Sequence, residues 1–352
     1  MLAENIGYIL TRQAVDKNGK LELSYWVKTQ EDTVQVLPDK QHCVLFADLD
    51  AAPMLLNKNG ITVKEHGYRS FLDEPVVSVL SASLKHHRDT IQYLKAAHIG
   101  LYEEDIRPAD RYLMERNIHG AVRFVGQFDA AKKQYRQARL KAVEFNPVWR
   151  VWSLDIETSV SNNTLLSIGI VADALRIAFV VTDSPNNDDR CVYFADEKSL
   201  LLAFMRFVKL HNPNIIIGWN LIAFDLAFID RRCQALGLKP QFGVQGESWS
   251  FRGAETEGKQ FIHIPGRVAL DGIALLKVGG YHFESYSLNH VSQAILNDQK
   301  LLHDGGWQEI ERMHAHELTR FVDYNLQDCD LVLRIFEQLH LVALQQTRVD
   351  LT

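Results

Sequence analysis

The 352-residue sequence predicts a mixed α/β (α+β) protein in two parts, a β-rich stretch over residues 1–145 and an α/β stretch over residues 146–352. Three observations carry that division. Short runs of β-branched and aromatic residues, separated by turn signals, dominate the first part. Asn146-Pro147 then interrupts the pattern, because the residue before a proline is driven out of the helical region. Beyond it, strand-type and helix-type periodicities follow one another.

In the first part, Gly7–Thr11, Leu21–Thr29 and Thr33–Leu37 carry strand-type residues, and Asp16–Lys20 is a turn signal around Gly19. Cys43–Phe46 and Val76–Leu80 are further apolar runs. Ser83–Ala97 has helical spacing, with Ile91, Leu94 and Ala97 on one face, and His86 and His87 on it are expected at the surface. In the second part, Val148–Ile156, Leu165–Val171 and Arg176–Thr182 read as three successive strands, turning near Asn162-Asn163 and Asp173. A helix at Lys198–His211, a buried strand at Asn214–Trp219 and a helix at Asp225–Leu236 come next. Three strands, then helix, strand and helix, is the element order of the ribonuclease-H-like architecture. Ser248–Pro265 reads as an inserted β-hairpin, Ser287 as the cap of a helix to Leu296, and Glu317–Gln345 as one long final helix.

Composition narrows the class. Hydrophobic content of 47% and charged content of 23% are ordinary for a globular protein, and no apolar run reaches the roughly 20 residues of a membrane span. Met1–Arg12 lacks the pattern of a secretion signal, and four scattered cysteines without a CxxC pair fit reduced cytosolic thiols, so a cytoplasmic protein is expected. A net charge of −6 is unusual for a nucleic-acid enzyme acting alone. Bound cations can offset it, or the basic surface belongs to another part of the protein.

Chemistry concentrates in three short motifs: Asp155-Ile156-Glu157-Thr158, Asn220-Leu221-Ile222-Ala223-Phe224-Asp225 and Tyr324-Asn325-Leu326-Gln327-Asp328. Alone, each has an ordinary explanation: a surface pair at a strand end, a helix-capping aspartate, a solvated helix face. Together they have a common geometry. Residues two apart on a strand project together, so Asp155 and Glu157 share a side; residues four apart on a helix share a face, as Tyr324 and Asp328 do. Asp225, just after a buried strand, can meet them. Gathered carboxylates raise one another's pKa and are stable at neutral pH when divalent cations balance them. Hard oxygen ligands suit two Mg2+ or Mn2+ ions. Phosphodiester cleavage needs an attacking hydroxide and a stabilised leaving oxygen, which two metals ~3.5–4 Å apart supply. Asp155 is the natural bridging ligand, with Glu157, Asp225 and Asp328 completing the set. Tyr324, together with Glu157, would orient or deprotonate the attacking water.

These motifs resemble exonuclease motifs I, II and III of proofreading DNA polymerases of family B, whose 3′→5′ exonuclease belongs to the acidic "DEDD" superfamily, in the branch with tyrosine in the third motif. By that resemblance Asp155, Glu157, Asp225 and Asp328 are expected to bind metal. Tyr324 is expected to position water, and Thr158, Asn220 and Phe224 to contact the 3′-terminal nucleotides, Phe224 by stacking. Gly7–Arg12, Arg107–Arg116, Ile215–Asn220 and Arg267–Gly272 resemble the bacterial polymerase II branch. The family's palm motifs are missing from the sequence. The resemblance therefore implies the N-terminal and exonuclease portions of a longer polymerase, without palm, fingers and thumb. The implied partner is a single-stranded DNA 3′ end or primer-template DNA, with no membrane; a sliding clamp would bind the longer parent, through no motif visible here.

Weaker signals remain. His314 and His316, two apart on a helix, cannot share a metal, and Gly279-Gly280 and Gly305-Gly306 read as turns. Lys132, Lys133, Arg136, Arg139 and Lys141 form the one notable basic stretch, a nucleic-acid path or a solvated face. Asp271 reads as a structural hydrogen-bonding acid or a support to the metal ligands. Two other functions stay open: a binding module acting through residues 1–145, and an RNA-directed exonuclease of the same superfamily.

Overall fold

The computed structural model describes residues 2–252, 260–298 and 306–351. The chain divides into two units, Met1–Pro147 with Asp350–Thr352 and Val148–Val349, each with its own apolar core.

The first unit contains strands β1 (Leu2–Lys17), β2 (Lys20–Thr29), β3 (Thr33–Pro38) and β4 (Cys43–Asp48), helix α1 (Ala51–Leu55), then β5 (Ile61–Arg69) and β6 (Pro75–Ser81). Helix α2 (Leu84–Ala96), β7 (Leu101–Tyr102), α3 (Pro108–Met114), β8 (Ala121–Asp129) and β9 (Gln134–Ala142) complete it. Strands β1, β2, β3, β9 and β8 close a barrel in that order, and β5, β6, β4 and β7 form a four-stranded sheet. The β1–β2 hairpin turns at Asn18-Gly19, both left-handed at φ 52° and 72°, the geometry that Asn-Gly adopts at least cost in a two-residue turn. Tyr25, Val27, Val36, Phe124 and Leu140 fill the barrel. On β9, Tyr135, Ala138 and Leu140 point inward, leaving Arg136, Arg139 and Lys141 exposed.

The histidines of α2 do not both reach the surface. Neighbouring residues on a helix point apart, so one of the pair must turn inward when the helix packs. His86 lies with Nδ1 2.8 Å from the Ser83 hydroxyl at the helix cap. His87 is buried, and burial, with Arg111 nearby, lowers its pKa.

The second unit runs β10 (Val151–Ser159), β11 (Thr164–Ala172), β12 (Leu175–Val181), β13 (Cys191–Phe194), α4 (Glu197–His211) and β14 (Ile215–Gly218). A π-helical turn (Ile222–Leu226) leads into α5 (Ala227–Ala235), followed by β15 (Ser250–Arg252), β16 (Phe261–His263), β17 (Val268–Asp271), α6 (Gly272–Val278), α7 (Leu288–Leu296), α8 (Trp307–His316), α9 (Leu318–Gln338) and α10 (Leu341–Leu351). The six-stranded sheet is ordered β13-β12-β11-β10-β14-β17. Its β10–β11–β12 portion is an antiparallel meander, whereas β14 lies parallel to β10 and β17 parallel to β14. The expected order of three strands, helix, strand and helix is present with one addition: β13, which was not expected from the sequence, pairs parallel to β12 ahead of α4.

Period-two alternation assigns the two faces of this sheet. Leu154, Ile156, Ile168 and Ile170 pack with Leu200 and Phe204 of α4 and Ile229 of α5. Leu166, Val171, Ala178 and Val180 pack on the other side with Phe321, Val322 and Leu326 of α9. Arg267, almost wholly buried, donates to the carbonyls of Phe242 (2.8 Å), Pro213 and Val208 (3.4 Å) and so ties the entry to β17 to the end of α4.

The final helix differs from expectation. It breaks at Leu339-His340, where His340 is left-handed at φ 50°, and α10 then buries Leu341 against α7 and α9. Histidine tolerates that conformation better than most residues, and the sequence carries no Gly or Pro to signal the break. β15 and β16 pair antiparallel, as expected of an inserted hairpin; residues 253–259 between them, and Gly305, lie outside the described residues.

Candidate active site

Strand β10 delivers the first motif. Ile156 faces the α4–α5 core, so Asp155 and Glu157 face α9. In the antiparallel register, Asp155 stands opposite Gly169 and Glu157 opposite Ser167. A bulge follows between Glu157 and Thr158, where β11 carries one extra residue. A partly buried ion pair stabilises it: Glu197 accepts from the Leu165 backbone N–H (2.9 Å) while Arg232 grips both its oxygens (2.7 and 2.6 Å). The turn beyond is held by Glu311 of α8, which accepts from the Ser159 hydroxyl (2.7 Å), the Ser161 N–H (3.0 Å) and the Ser161 hydroxyl (2.8 Å).

Helix α9 supplies the third motif to the same place. Among the described residues, Asp155, Glu157 and Asp328 each bring a carboxylate oxygen within 4.8 Å of the others. Glu157 is 9% exposed and Asp328 3%, so their charges are largely removed from water. Tyr324, half-buried, lies one turn before Asp328 on the same helix face. Thr158 is half-buried at the bulge.

Asp225 reaches the site by a different route. It is not a helix cap but lies inside the π-helical turn, a distortion frequent at functional sites. Only 1% exposed, its Oδ1 accepts from the Ile156 N–H (3.1 Å), the backbone link between Asp155 and Glu157. Burial foremost, then the Asp155 charge, push its carboxyl well above the usual range, with Asp271 adding to the effect. The neighbouring thiol senses the same field: burial and then Asp155, Asp328 and Asp225 raise the Cys329 pKa. So the fourth acid lies outside the group of three but feels the Asp155 charge, and it is hydrogen-bonded to the strand that carries Asp155 and Glu157.

Asn220 is exposed and left-handed at φ 61°, a conformation asparagine favours, and its carbonyl accepts from the Phe224 N–H (3.0 Å). Its backbone thereby turns the chain from β14 into the segment that carries Asp225. Phe224 is 43% exposed, its ring centroid 6.4 Å from that of Phe228, and offers a free aromatic face. Asp271, in register with Gly218, caps α6 through the Ala274 N–H (2.9 Å); burial raises its pKa. His314 Nε2 lies 2.6 Å from the Val181 carbonyl, a structural contact.

Sequence reasoning gave no role to Asn325, Ser167, Gly169 or Glu311. For Asn325 a signal existed. Phe321, Val322, Leu326, Cys329 and Val332 form the buried stripe of α9, and a polar residue on that stripe needs partners. Its Nδ2 donates to Asp155 Oδ2 (2.8 Å), and its Oδ1 accepts from the Ser167 hydroxyl (2.9 Å).

Three buried or half-buried carboxylates on strand and helix, with a fourth hydrogen-bonded to that strand, give an all-oxygen donor set that fits hard divalent cations better than zinc. The description "DNA polymerase family B, exonuclease domain" matches residues 99–291, and the chain belongs to that family. It is 31% identical to DNA polymerase II of Escherichia coli (strain K12) over 349 residues, covering 94% of this chain and 44% of that protein. It is also 31% identical over 159 residues to the DNA polymerase delta catalytic subunit of Plasmodium falciparum, covering 42% of this chain and 14% of that one. The fold matches the family B DNA polymerase of the hyperthermophilic archaeon Pyrobaculum calidifontis with a TM-score of 0.75 at 18% identity, over 95% of this chain and 46% of that chain. The chain thus spans less than half the length of these relatives. No described helix is long and apolar enough to cross a membrane.

Proposed function

We propose that the chain is a 3′→5′ exodeoxyribonuclease that removes nucleotides one at a time from single-stranded DNA 3′ ends. Water adds to the terminal phosphorus, the bond to the penultimate 3′ oxygen breaks, and a nucleoside 5′-monophosphate leaves. The observation that carries this reading is the convergence of Asp155, Glu157 and Asp328 around a common point, with Asp225 on the same strand's backbone. These four residues would hold two Mg2+ or Mn2+ ions, which when bound lower the pKa of the attacking water and offset charge on the leaving oxygen. Tyr324 and Glu157 orient that water, Phe224 stacks on the terminal base, and Asn220 and Thr158 border the nucleotide. Residues 146–352 form the exonuclease domain in this reading, and residues 1–145 a β-rich N-terminal domain of the family type. In a longer parent the site would proofread during cytoplasmic, nucleoid-associated DNA replication and repair, where primer-template DNA and a sliding clamp would be partners.

Incubating a 5′-labelled single strand with the chain and Mg2+ or Mn2+ tests the assignment; a one-nucleotide ladder is expected, and none without divalent ion. Tyr324→Phe is expected to slow the ladder while leaving Mn2+ affinity, measured by titration, unchanged. A fall in affinity would make Tyr324 a support of the metal ligands rather than of the water.

A second contribution is supported by the barrel's outer surface. Arg123 and Lys141 stand directly opposite each other on β8 and β9, and Arg136 and Arg139 extend the row. Like charges facing across strands cost stability, and among the described residues only Arg123 of this opposed pair is tied to an acid, Glu4 (2.6 Å). The row suits a nucleic-acid backbone. The double variant Arg139→Glu/Lys141→Glu is expected to weaken single-strand binding and flatten its dependence on log salt concentration by roughly one unit per lost phosphate contact. Unchanged affinity and slope would return the row to a solvated face.

A further inference from the structure

We propose that Asn325 is a positioning residue that orients the Asp155 carboxylate for metal binding, and that Ser167 and Gly169 exist on β11 to hold Asn325 in place. This rests on the metal-site reading above and deepens it. The chain of contacts is complete. The Ser167 hydroxyl donates to Asn325 Oδ1 at 2.9 Å; a hydroxyl can meet either end of an amide, whereas an ionised carboxylate only accepts, so it is Asp155 that fixes which end faces which way. The Nδ2 end is thereby turned to Asp155 Oδ2, at 2.8 Å. Ser167 and Asn325 are both fully buried, so water does not compete for either bond.

Gly169 makes the approach possible. It lies opposite Asp155 on β11, and a Cβ there would sit 2.8 Å from Asn325 Oδ1 and 2.9 Å from its Cγ. Its φ is not in the left-handed region, so the requirement is for space and not for backbone freedom. α9 therefore comes close to the sheet at the one pair where a helix side chain must reach a catalytic carboxylate.

The residue type follows from electrostatics. A lysine or arginine at position 325 would also grip Asp155, but its charge would occupy the acidic site and compete with a cation. A second carboxylate would repel Asp155. A neutral amide donor fixes one carboxylate oxygen and leaves the site's negative charge intact for metal, the way outer partners commonly orient metal ligands.

The test measures Mn2+ binding to the whole chain without DNA, by electron paramagnetic resonance titration, for wild type, Asn325→Leu and Ser167→Ala. Loss of an outer partner of this kind weakens metal affinity ~10–100-fold, the expected result for Asn325→Leu, with a smaller loss for Ser167→Ala. The exonuclease rate of both variants should climb toward wild type as Mn2+ is raised, with the KM for DNA unchanged. Ser167→Ala removes a single hydroxyl and keeps the experiment decisive should Asn325→Leu fold poorly. Wild-type affinity in folded Ser167→Ala overturns the relay through Ser167, and wild-type affinity in folded Asn325→Leu overturns the proposal. A rate deficit that added Mn2+ does not relieve also overturns it. A wild-type chain that binds no Mn2+ overturns the metal-site reading itself, and this inference with it.

Discussion

Asp155→Ala should reduce metal-dependent degradation of a single strand by on the order of 10³-fold or more, about 4 kcal/mol of transition-state stabilisation. The size of the effect follows from the position. Asp155 supplies one of three carboxylates whose oxygens lie within 4.8 Å of one another, and it alone also accepts the Asn325 amide. Its removal takes away a ligand and strands a buried donor in the same step, so Mn2+ affinity should fall together with rate. Added Mn2+ should not restore activity, in contrast to the substitutions at Asn325 and Ser167. Equal rates for wild type and Asp155→Ala, in matched preparations with intact circular dichroism, would remove these acids from the reaction.

Asp225→Asn should push stability and activity in opposite directions. The folded chain holds Asp225 with a pKa raised by burial and by Asp155, so it retains a proton there that the unfolded chain releases. Stability from this group is thus fully present below the ordinary aspartate pKa of about 4 and is lost as pH rises through the higher folded value. At neutral pH without divalent ions this buried carboxyl therefore costs the folded chain stability. Asparagine keeps an oxygen for the Ile156 N–H and drops the charge. The variant should melt higher than wild type at pH 7 in chelator, by roughly 2–4 °C for each kcal/mol relieved. The gap should narrow as pH is lowered toward 4, and again when Mn2+ is added to wild type. Exonuclease rate should drop on the order of 10²–10³-fold, about 3–4 kcal/mol. A lower melting temperature in chelator would mean that Asp225 stabilises the fold as an ionised acceptor.

Much of this site could be read from residue spacing. Asp155 and Glu157 share a strand face because the period is two, and Tyr324 and Asp328 share a helix face because they are one turn apart. The alternating apolar pattern around Ile156 also indicated which side would be buried. Contacts between distant segments were not legible. The π-helical turn that delivers Asp225 has no local signature, and its carboxylate is claimed by a backbone N–H 69 residues away. The break at His340 follows from burial of Leu341 against α7 and α9, and His87 turns inward because α2 packs on a sheet. Asn325 was visible as a polar residue on an apolar helix stripe, but its partners, Ser167 and Asp155, come from two strands distant in the sequence.

The extra residue that β11 carries at Leu165–Ser167 has a consequence for how this chain can diverge. Sliding a strand by a single position exchanges its inner and outer side chains along its whole length. Removing one residue from the turn at Ser161–Asn163 would therefore threaten to bring Ile168 and Ile170 to where Ser167 and Gly169 now stand, beneath the acids. Substitution in that turn is a local event, whereas a change of length there propagates to the chemistry. Descendants of this sequence should vary Asn162 more readily than Ser161, whose hydroxyl Glu311 holds, and conserve the turn's spacing.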